Sequence, residues 1–498
     1  MKKSNLFYIF LFINSVLWCL LGLLRNVIGD DALEAISWGE LVDFGTNKHP
    51  PLSGWLMGGA YNLFQQHDFA AYFLGSACVL TGFVFIYKLA KFFLDEDKSI
   101  AASLIMTPCY YFTFTLFYEN FNCNILSMAF WPMITYYFYK SLKEDKICDW
   151  ILFGISSALG FLTKYQVVFL FLVLFIYLIA VKREQFKKRG MYIAIITGFL
   201  VILPHVIWLF KHDFFSFIYM TDRVEIGIHN TPQFLLKFGR IVFPVKFIFD
   251  QILCVMPCIL MFLLTALFAR NISFCKTSNK SELLFISLIC FGPMLLQAST
   301  GLFSNSRIMG MWGSMMVSFC GLFLMYVFPI KFKEKTFIRL IILAYSFALI
   351  WLGAMFVFMQ LQTKLHVSFP YQKVIPEINS IWDEETNNSE LKYVGGNGEY
   401  VFKINVYNPR HPKVVLETFG HENPWISPDE VINSGIIIFG KTEDELISQT
   451  KDTVTLLPEN YKIIPRVCSF EITNKLGKSK KFELYYTIIP PVTFYKLK

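Results

Sequence analysis

Apolar residues gather into eleven runs up to residue 359, at 6–24, 69–94, 99–117, 125–139, 150–162, 167–181, 191–210, 241–268, 283–302, 308–328 and 337–359. Each predicts a membrane helix, although several are shorter than the roughly 20 residues a straight crossing needs. Beyond residue 360 the pattern changes. "YVFKINVY" (400–407), "GIIIFG" (435–440) and "FELYYTII" (482–489) are β-prone runs separated by Pro, Asn and Gly. The pattern predicts a transmembrane domain, residues 1–360, followed by a small soluble α/β or mostly β domain, residues 361–498. No internal repeat is evident.

Composition agrees with this division. The chain is 55% hydrophobic and 16% charged, against about 25% charged in soluble proteins, which predicts an all-α polytopic membrane protein of about 11 helices with a C-terminal soluble domain. The net charge of +8 does not point to nucleic acid, because the basic residues sit in short clusters between apolar runs. With the N-terminus in the cytoplasm, the inner loops hold clusters such as Lys182, Arg183, Lys187, Lys188 and Arg189, or Arg270, Lys276 and Lys280. The outer side keeps chiefly Arg25, Lys48, Lys164, Lys211, Arg223 and Arg307. The positive-inside rule then predicts an outer loop at residues 26–68 and an extracytoplasmic C-terminal domain. The first apolar run lacks a small-residue cleavage site and reads as an uncleaved span. Most of the eleven cysteines lie in apolar runs, where they behave as small hydrophobes. Cys254 and Cys258 share a helix face without a His or acid beside them, so no metal site is predicted.

Candidate chemistry concentrates in residues 30–55, "DDALEAISWGELVDFGTNKHPPLSGW". On a helix Asp31, Glu34 and Trp38 share one face, an arrangement suited to deprotonating a hydroxyl beside a ring that stacks a sugar. The same Asp-x-x-Glu spacing is a capping box, and both readings stand. Lys48 and His49 precede Pro50 and Pro51, which stiffen the backbone; a cation held there could grip a phosphate or simply snorkel to the interface. Lys164, in "GFLTKYQVVFLF", is a charge set in apolar sequence, which faces a cavity or a partner as a rule. Arg307 borders a predicted span. "YENFNCN" brings Glu119, Asn120, Asn122 and Asn124 to the outer end of another, where they could read sugar or phosphate oxygens or merely form a turn. His205 reads equally as a packed residue or a ligand.

In the same order and spacing, "DALEAISWGELVDFGTNKHPPLSGWL", "LFYENFNCNILSMAFWPMITYYF", "GFLTKYQVVFL", "LPHVIWLFKHDF" and "SNSRIMGMWGSM" resemble the bacterial branch of the protein O-mannosyltransferase and aminoarabinose (lipid A) transferase superfamily. The resemblance covers about residues 6–328. It implies an integral membrane glycosyltransferase of the C-type fold (GT-C) that takes a sugar from a polyprenyl-phosphate carrier on the outer side of the membrane. It places Asp31 at the acid of the first outer loop, with Glu34 as its neighbour. Lys48 and His49 stand where relatives carry a lysine before proline, near the donor phosphate, and Lys164 matches the "TK" lysine of the lipid-phosphate cavity. Here His49 intervenes between lysine and proline, and two acids, Asp30 and Asp31, stand at the first motif.

The expectation is therefore an inverting sugar transferase in a bacterial inner membrane. Asp31 and Glu34 would be catalytic, and Lys48, His49, Lys164, Arg307, Trp38, Glu119 and Asn122 would bind the donor phosphate and sugar. The partners would be a polyprenyl-phosphate-linked sugar, membrane lipids, and a lipid A, glycan or protein acceptor. No cofactor is required by the sequence, and a divalent metal is left open. A lipid or solute transporter is the rival from another class.

Overall fold

The computed structural model describes residues 2–65, 67–219, 237–270, 279–304, 307–416, 423, 426–454 and 463–492. Arg223 and Lys276, used above for orientation, lie outside these residues. Among the described residues six helices are long and apolar enough to cross a membrane: Lys3–Gly22, Asp68–Ala90, Arg189–Lys211, Gly239–Ala269, Lys280–Ser304 and Glu334–Leu361. Ile147–Thr163, Tyr165–Val181 and Met316–Val327 are shorter apolar helical stretches. The chain is a multi-pass, mainly helical membrane protein with a small C-terminal mixed sheet. It divides into two compact units, one of Met1–Gly22, Phe44–Ser53 and Tyr72–Met355, the other of Leu23–Asp43, Gly54–Ala71 and Phe356–Lys498.

In the first unit, two runs expected to be continuous helices are broken. The run 99–117 stops as a helix at Leu104, turns once as a 3-10 helix at Tyr110–Phe112 and resumes at Phe114–Glu119. Pro108 accounts for the break, since its ring removes a backbone donor and disfavours helical geometry in the residue before it. The Pro108 carbonyl accepts instead from the Trp351 indole at 3.0 Å. The run 308–328 contains two 3-10 turns, Gly310–Gly313 and Met316–Phe319, ahead of the helix Cys320–Val327. Here the Gly310 carbonyl accepts from the Tyr111 hydroxyl at 2.7 Å and the Gln251 amide at 2.9 Å, so side chains take the place of the helical ladder.

Close packing follows from small residues. A Cβ on Gly154, in helix Ile147–Thr163, would lie 2.5 Å from the Ala194 carbonyl of helix Arg189–Lys211. At Gly75 a Cβ would stand 1.9 Å from the carbonyl of Asn120, which has a φ of 62°. Helices joined this closely gain dispersion contacts that lipid cannot offer.

The second unit carries a five-stranded sheet in the order β2-β1-β3-β5-β4, with β1 Tyr393–Gly396, β2 Lys413–Leu416, β3 Ile436–Gly440, β4 Arg466–Thr473 and β5 Ser479–Ile489. β1 runs parallel to β2 and β3, while β5 is antiparallel to β3 and β4. Tyr393, Val415, Val431, Ile436, Ile438, Leu446 and Ile489 form the core of this α/β domain. The expected strands at 435–440 and 482–489 are present. The run 400–407, read as β-prone, is instead part of the helix Gly398–Tyr407. Two parallel neighbours need a crossover, and Asn397 caps this one by accepting from Glu399 N. Tertiary demand thus overrides the β-branched and aromatic composition.

Residues 26–68 are largely helical, as Asp30–Leu41 and Leu52–Phe64. These helices touch through glycine: a Cβ on Gly39 would fall 2.6 Å from both the Gly54 carbonyl and the Gly58 Cα. The i, i+4 pair Gly54 and Gly58 is a small-residue seam of the kind that lets backbones approach.

Candidate functional site

The acidic half of the predicted site lies on helix Asp30–Leu41. Gly29, extended at φ −63° and ψ 151°, is the N-cap and no side chain caps the helix. The capping-box reading of Asp31 and Glu34 is thereby corrected. The helix starts two residues earlier than that motif requires, so both acids lie inside it. Asp31 is half-buried, while Glu34 and Trp38 are buried. As expected from the spacing, the three share a face. Acidic residues in a first turn also meet the positive end of the helix dipole.

The adjacent Asp30 has a different environment. Its carboxylate forms an ion pair with Lys403, whose side chain is 0% exposed, and accepts from His366 Nδ1 at 2.9 Å. Burial by itself pushes this carboxyl up, but the Lys403 ammonium and His366 outweigh it and hold it well below the usual carboxylate range. Lys403 Nζ also donates to the Glu399 carbonyl at 2.7 Å. Nearby, the Tyr407 hydroxyl accepts from Ile28 N and donates to Asp68 Oδ1, both at 2.9 Å, and Arg25 donates to the His366 carbonyl. The start of the acidic helix is thus fastened, within the second unit, to residues more than 300 positions away in sequence. Sequence reasoning missed Lys403 and His366. The available signal was a lysine inside the apolar run "YVFKINVY", the same cue that drew attention to Lys164.

The cationic half belongs to the first unit. Thr46 closes a turn over Lys48 and His49: its hydroxyl donates to the His49 carbonyl at 2.8 Å and accepts from Lys48 N at 3.2 Å and His49 N at 2.9 Å. Ser216 donates to the Thr46 carbonyl at 2.8 Å. Lys48 Nζ stands 5.6 Å from the centre of the Tyr219 ring, and the His49 ring lies edge-on to it at 6.4 Å. Helix Ile147–Thr163 ends at Lys164, whose extended backbone turns the side chain out of the helical pattern. Lys164 is 8% exposed and donates to Asn124 Oδ1 at 2.5 Å.

His205 links these two motifs. One ring nitrogen meets the Phe44 carbonyl at 2.6 Å and the other the hydroxyl of Tyr165, next to Lys164, at 2.9 Å. It is therefore a packed histidine with both nitrogens engaged, and it ties the Lys48 turn to the Lys164 segment. Asn122 caps helix Cys123–Glu144 by accepting from Ile125 N at 2.9 Å. Glu119 lines a cavity of about 490 Å³ with Tyr110, Phe114, Tyr118 and Asp250; neither Lys48 nor Lys164 lines it. Arg307 is exposed, and its neighbours 305–306 lie outside the described residues. Among the described residues no three His, Cys, Asp or Glu side chains form a group that could hold a metal.

Comparison with known proteins bears on the segment that holds the cations. The chain is 23% identical over 221 residues to the lipid A galacturonosyltransferase RgtD of Rhizobium johnstonii (strain DSM 114642 / LMG 32736 / 3841), a match covering 42% of this chain and 45% of that protein. The chain thus spans less than half the length of this relative. Among solved structures, ArnT from Cupriavidus metallidurans in the apo state aligns with 97% of each chain at 12% identity and a TM-score of 0.47. The archaeal oligosaccharyltransferase AglB from Archaeoglobus fulgidus aligns with 96% of this chain and 74% of its own at 10% identity and a TM-score of 0.43. Residues 48–208, which include Lys48, His49, Glu119, Asn122 and Lys164, match the family model described as dolichyl-phosphate-mannose-protein mannosyltransferase, the superfamily whose motifs the sequence resembles.

Proposed function

We propose that the protein transfers a monosaccharide, with inversion, from a polyprenyl-phosphate carrier to an envelope acceptor on the outer face of a bacterial inner membrane. Lipid A or another lipopolysaccharide is the favoured acceptor. The observation that carries the reading is Lys164, a buried cation at a helix end inside the matched segment, joined through Tyr165 and His205 to the turn that holds Lys48 and His49. A buried charge is costly unless it has a task or a partner, and an anionic leaving group supplies the task.

In this reaction an acceptor hydroxyl oxygen attacks the anomeric carbon, the bond from that carbon to the phosphate oxygen breaks, and its electron pair departs with the polyprenyl phosphate. Lys48, His49, Lys164 and Arg307 are assigned to the donor phosphate, where fixed positive charge stabilises the growing negative charge. Asp31 takes the proton of the acceptor hydroxyl, or orients the acceptor if that group is itself a phosphate and needs no base. Glu34 positions Asp31, while Trp38, Glu119 and Asn122 are assigned to the sugar. The phosphate is a good leaving group, so no second acid is required.

A protein acceptor is the second reading, favoured by the description of the matching family model. Mass spectrometry of lipid A, surface polysaccharide and envelope proteins from a deletion strain separates the two. A sugar missing from lipid A supports the first reading and one missing from a protein the second, whereas unchanged glycans throughout would overturn the transferase assignment.

A further inference from the structure

We infer that the β4–β5 hairpin turn is a membrane-surface docking element for anionic phospholipid headgroups. This goes beyond the transferase reading and does not depend on it. The turn lies against the end of the helix Glu334–Leu361, one of those long and apolar enough to cross a membrane. Asn474 Nδ2 donates to the Leu361 carbonyl at 2.9 Å and Lys475 N to the Gln360 carbonyl at 3.1 Å. Both acceptors belong to the last residues of the helix, where a spanning segment leaves the hydrocarbon and its final carbonyls lose their helical partners. The turn therefore sits at the level of the headgroups.

Its chemistry suits that level. Leu476, at the tip, is 78% exposed. Lys475 and Lys478 flank it in sequence, Lys480 and Lys481 follow on β5, and all four are exposed, long cationic side chains whose stems can lie along acyl chains while their ammonium groups reach phosphates. The turn is built rather than loose. Asn474 Oδ1 accepts from Leu476 N and Lys478 N, both at 3.0 Å, and Gly477 takes a φ of 77° with nothing within 4 Å of a Cβ built there.

Further along β5, Lys480 and Lys481 line a groove of about 450 Å³ with Lys441, Tyr400 and Phe482. Two acids temper this patch, since Glu399 pairs with Lys441 at 2.8 Å and Glu483 with Lys481 at 3.6 Å. Lys480 stands over the Phe482 ring at 4.7 Å. The cations at the turn itself, Lys475 and Lys478, border the leucine directly.

The test is native mass spectrometry of the purified full-length protein from mixed phosphatidylglycerol and phosphatidylcholine nanodiscs, counting lipids retained. Each lysine near an anionic surface is worth roughly a fivefold gain in affinity. The wild type should therefore favour phosphatidylglycerol, and the combined variant K475Q/K478Q/K480Q/K481Q should lose about tenfold or more of that preference. These side chains are exposed, so the variant keeps the fold, which its melting temperature checks. Leu476→Asp, which removes the apolar point, should also reduce retention. Equal phosphatidylglycerol preference in the wild type and the lysine variant would overturn the inference. So would displacement of the retained lipid by excess glycerol phosphate, which would mark the lysines as a site for a free phosphate rather than a bilayer contact.

Discussion

Lys403, fully buried, holds Asp30 in an ion pair at the first turn of helix Asp30–Leu41, and His366 binds the other carboxylate oxygen at 2.9 Å. Removing one partner of such a pair strands the other, which costs about 3 kcal/mol. Lys403→Met should lower the melting temperature of the protein by several degrees, and Lys403→Arg by less. The pH dependence has a definite sign. The folded Asp30 carboxyl titrates below its unfolded value, so its contribution is complete above about pH 3.9. It is lost progressively as the pH falls from there toward the lowered folded value. Acid unfolding of the wild type and Asp30→Asn, followed by circular dichroism, should converge at the acid end of that window.

Asp30 and Asp31 are adjacent in sequence but differ in environment, and their substitutions should separate. Asp30→Asn weakens the contacts with Lys403 and His366 and should reduce thermal stability. Asp31→Asn should abolish the envelope modification when it complements a deletion strain, with the amount of protein in the membrane measured alongside. Full complementation by Asp31→Asn would remove it from the catalytic assignment while leaving the reaction class standing.

Lys164 offers a sharper contrast between stability and activity. Lys164→Met keeps the shape of the stem but takes the donor away from the buried Asn124 Oδ1, which costs about 1–3 kcal/mol, so its melting temperature should fall modestly while the protein still folds. If the lysine meets the donor phosphate, transfer should fall by about 100-fold or more. Asn124→Ala, which removes the 2.5 Å hydrogen bond to Nζ, should lower transfer less. Quantitative mass spectrometry of the glycan, normalised to protein in the membrane, reads both.

Gly39 meets Gly54 and Gly58 backbone to backbone. Gly39→Ala forces these helices apart and should cost about 1–3 kcal/mol, seen as a lower melting temperature. Gly59→Ala, where a Cβ meets nothing within 4 Å, is the control and should change little.

The membrane character of the chain and the places of its helices were legible in the sequence because hydrophobic length is a one-dimensional property. A run such as 241–268 needs no distant partner to become a helix in lipid. The failures came where a local pattern met a distant demand. The run 308–328 is apolar enough for a helix, yet Tyr111 and Gln251 capture its Gly310 carbonyl. The run 400–407 has strand composition, yet the parallel pairing of β1 with β2 requires a helix there.

The candidate residues divide in the same way. Asp31, Glu34 and Trp38 share a helix face because periodicity alone dictates it, and Lys164 stood out because a charge in apolar sequence is improbable without cause. What only the tertiary structure decided was which neighbours those side chains have. His205 could be read as ligand or packing until both its nitrogens were seen engaged. Asp30 could not be told from Asp31 until Lys403 and His366 were brought to it from more than 300 residues away. Side-chain type and spacing are written along the chain, whereas ion pairs depend on distances of a few ångströms that exist only after the backbone has closed.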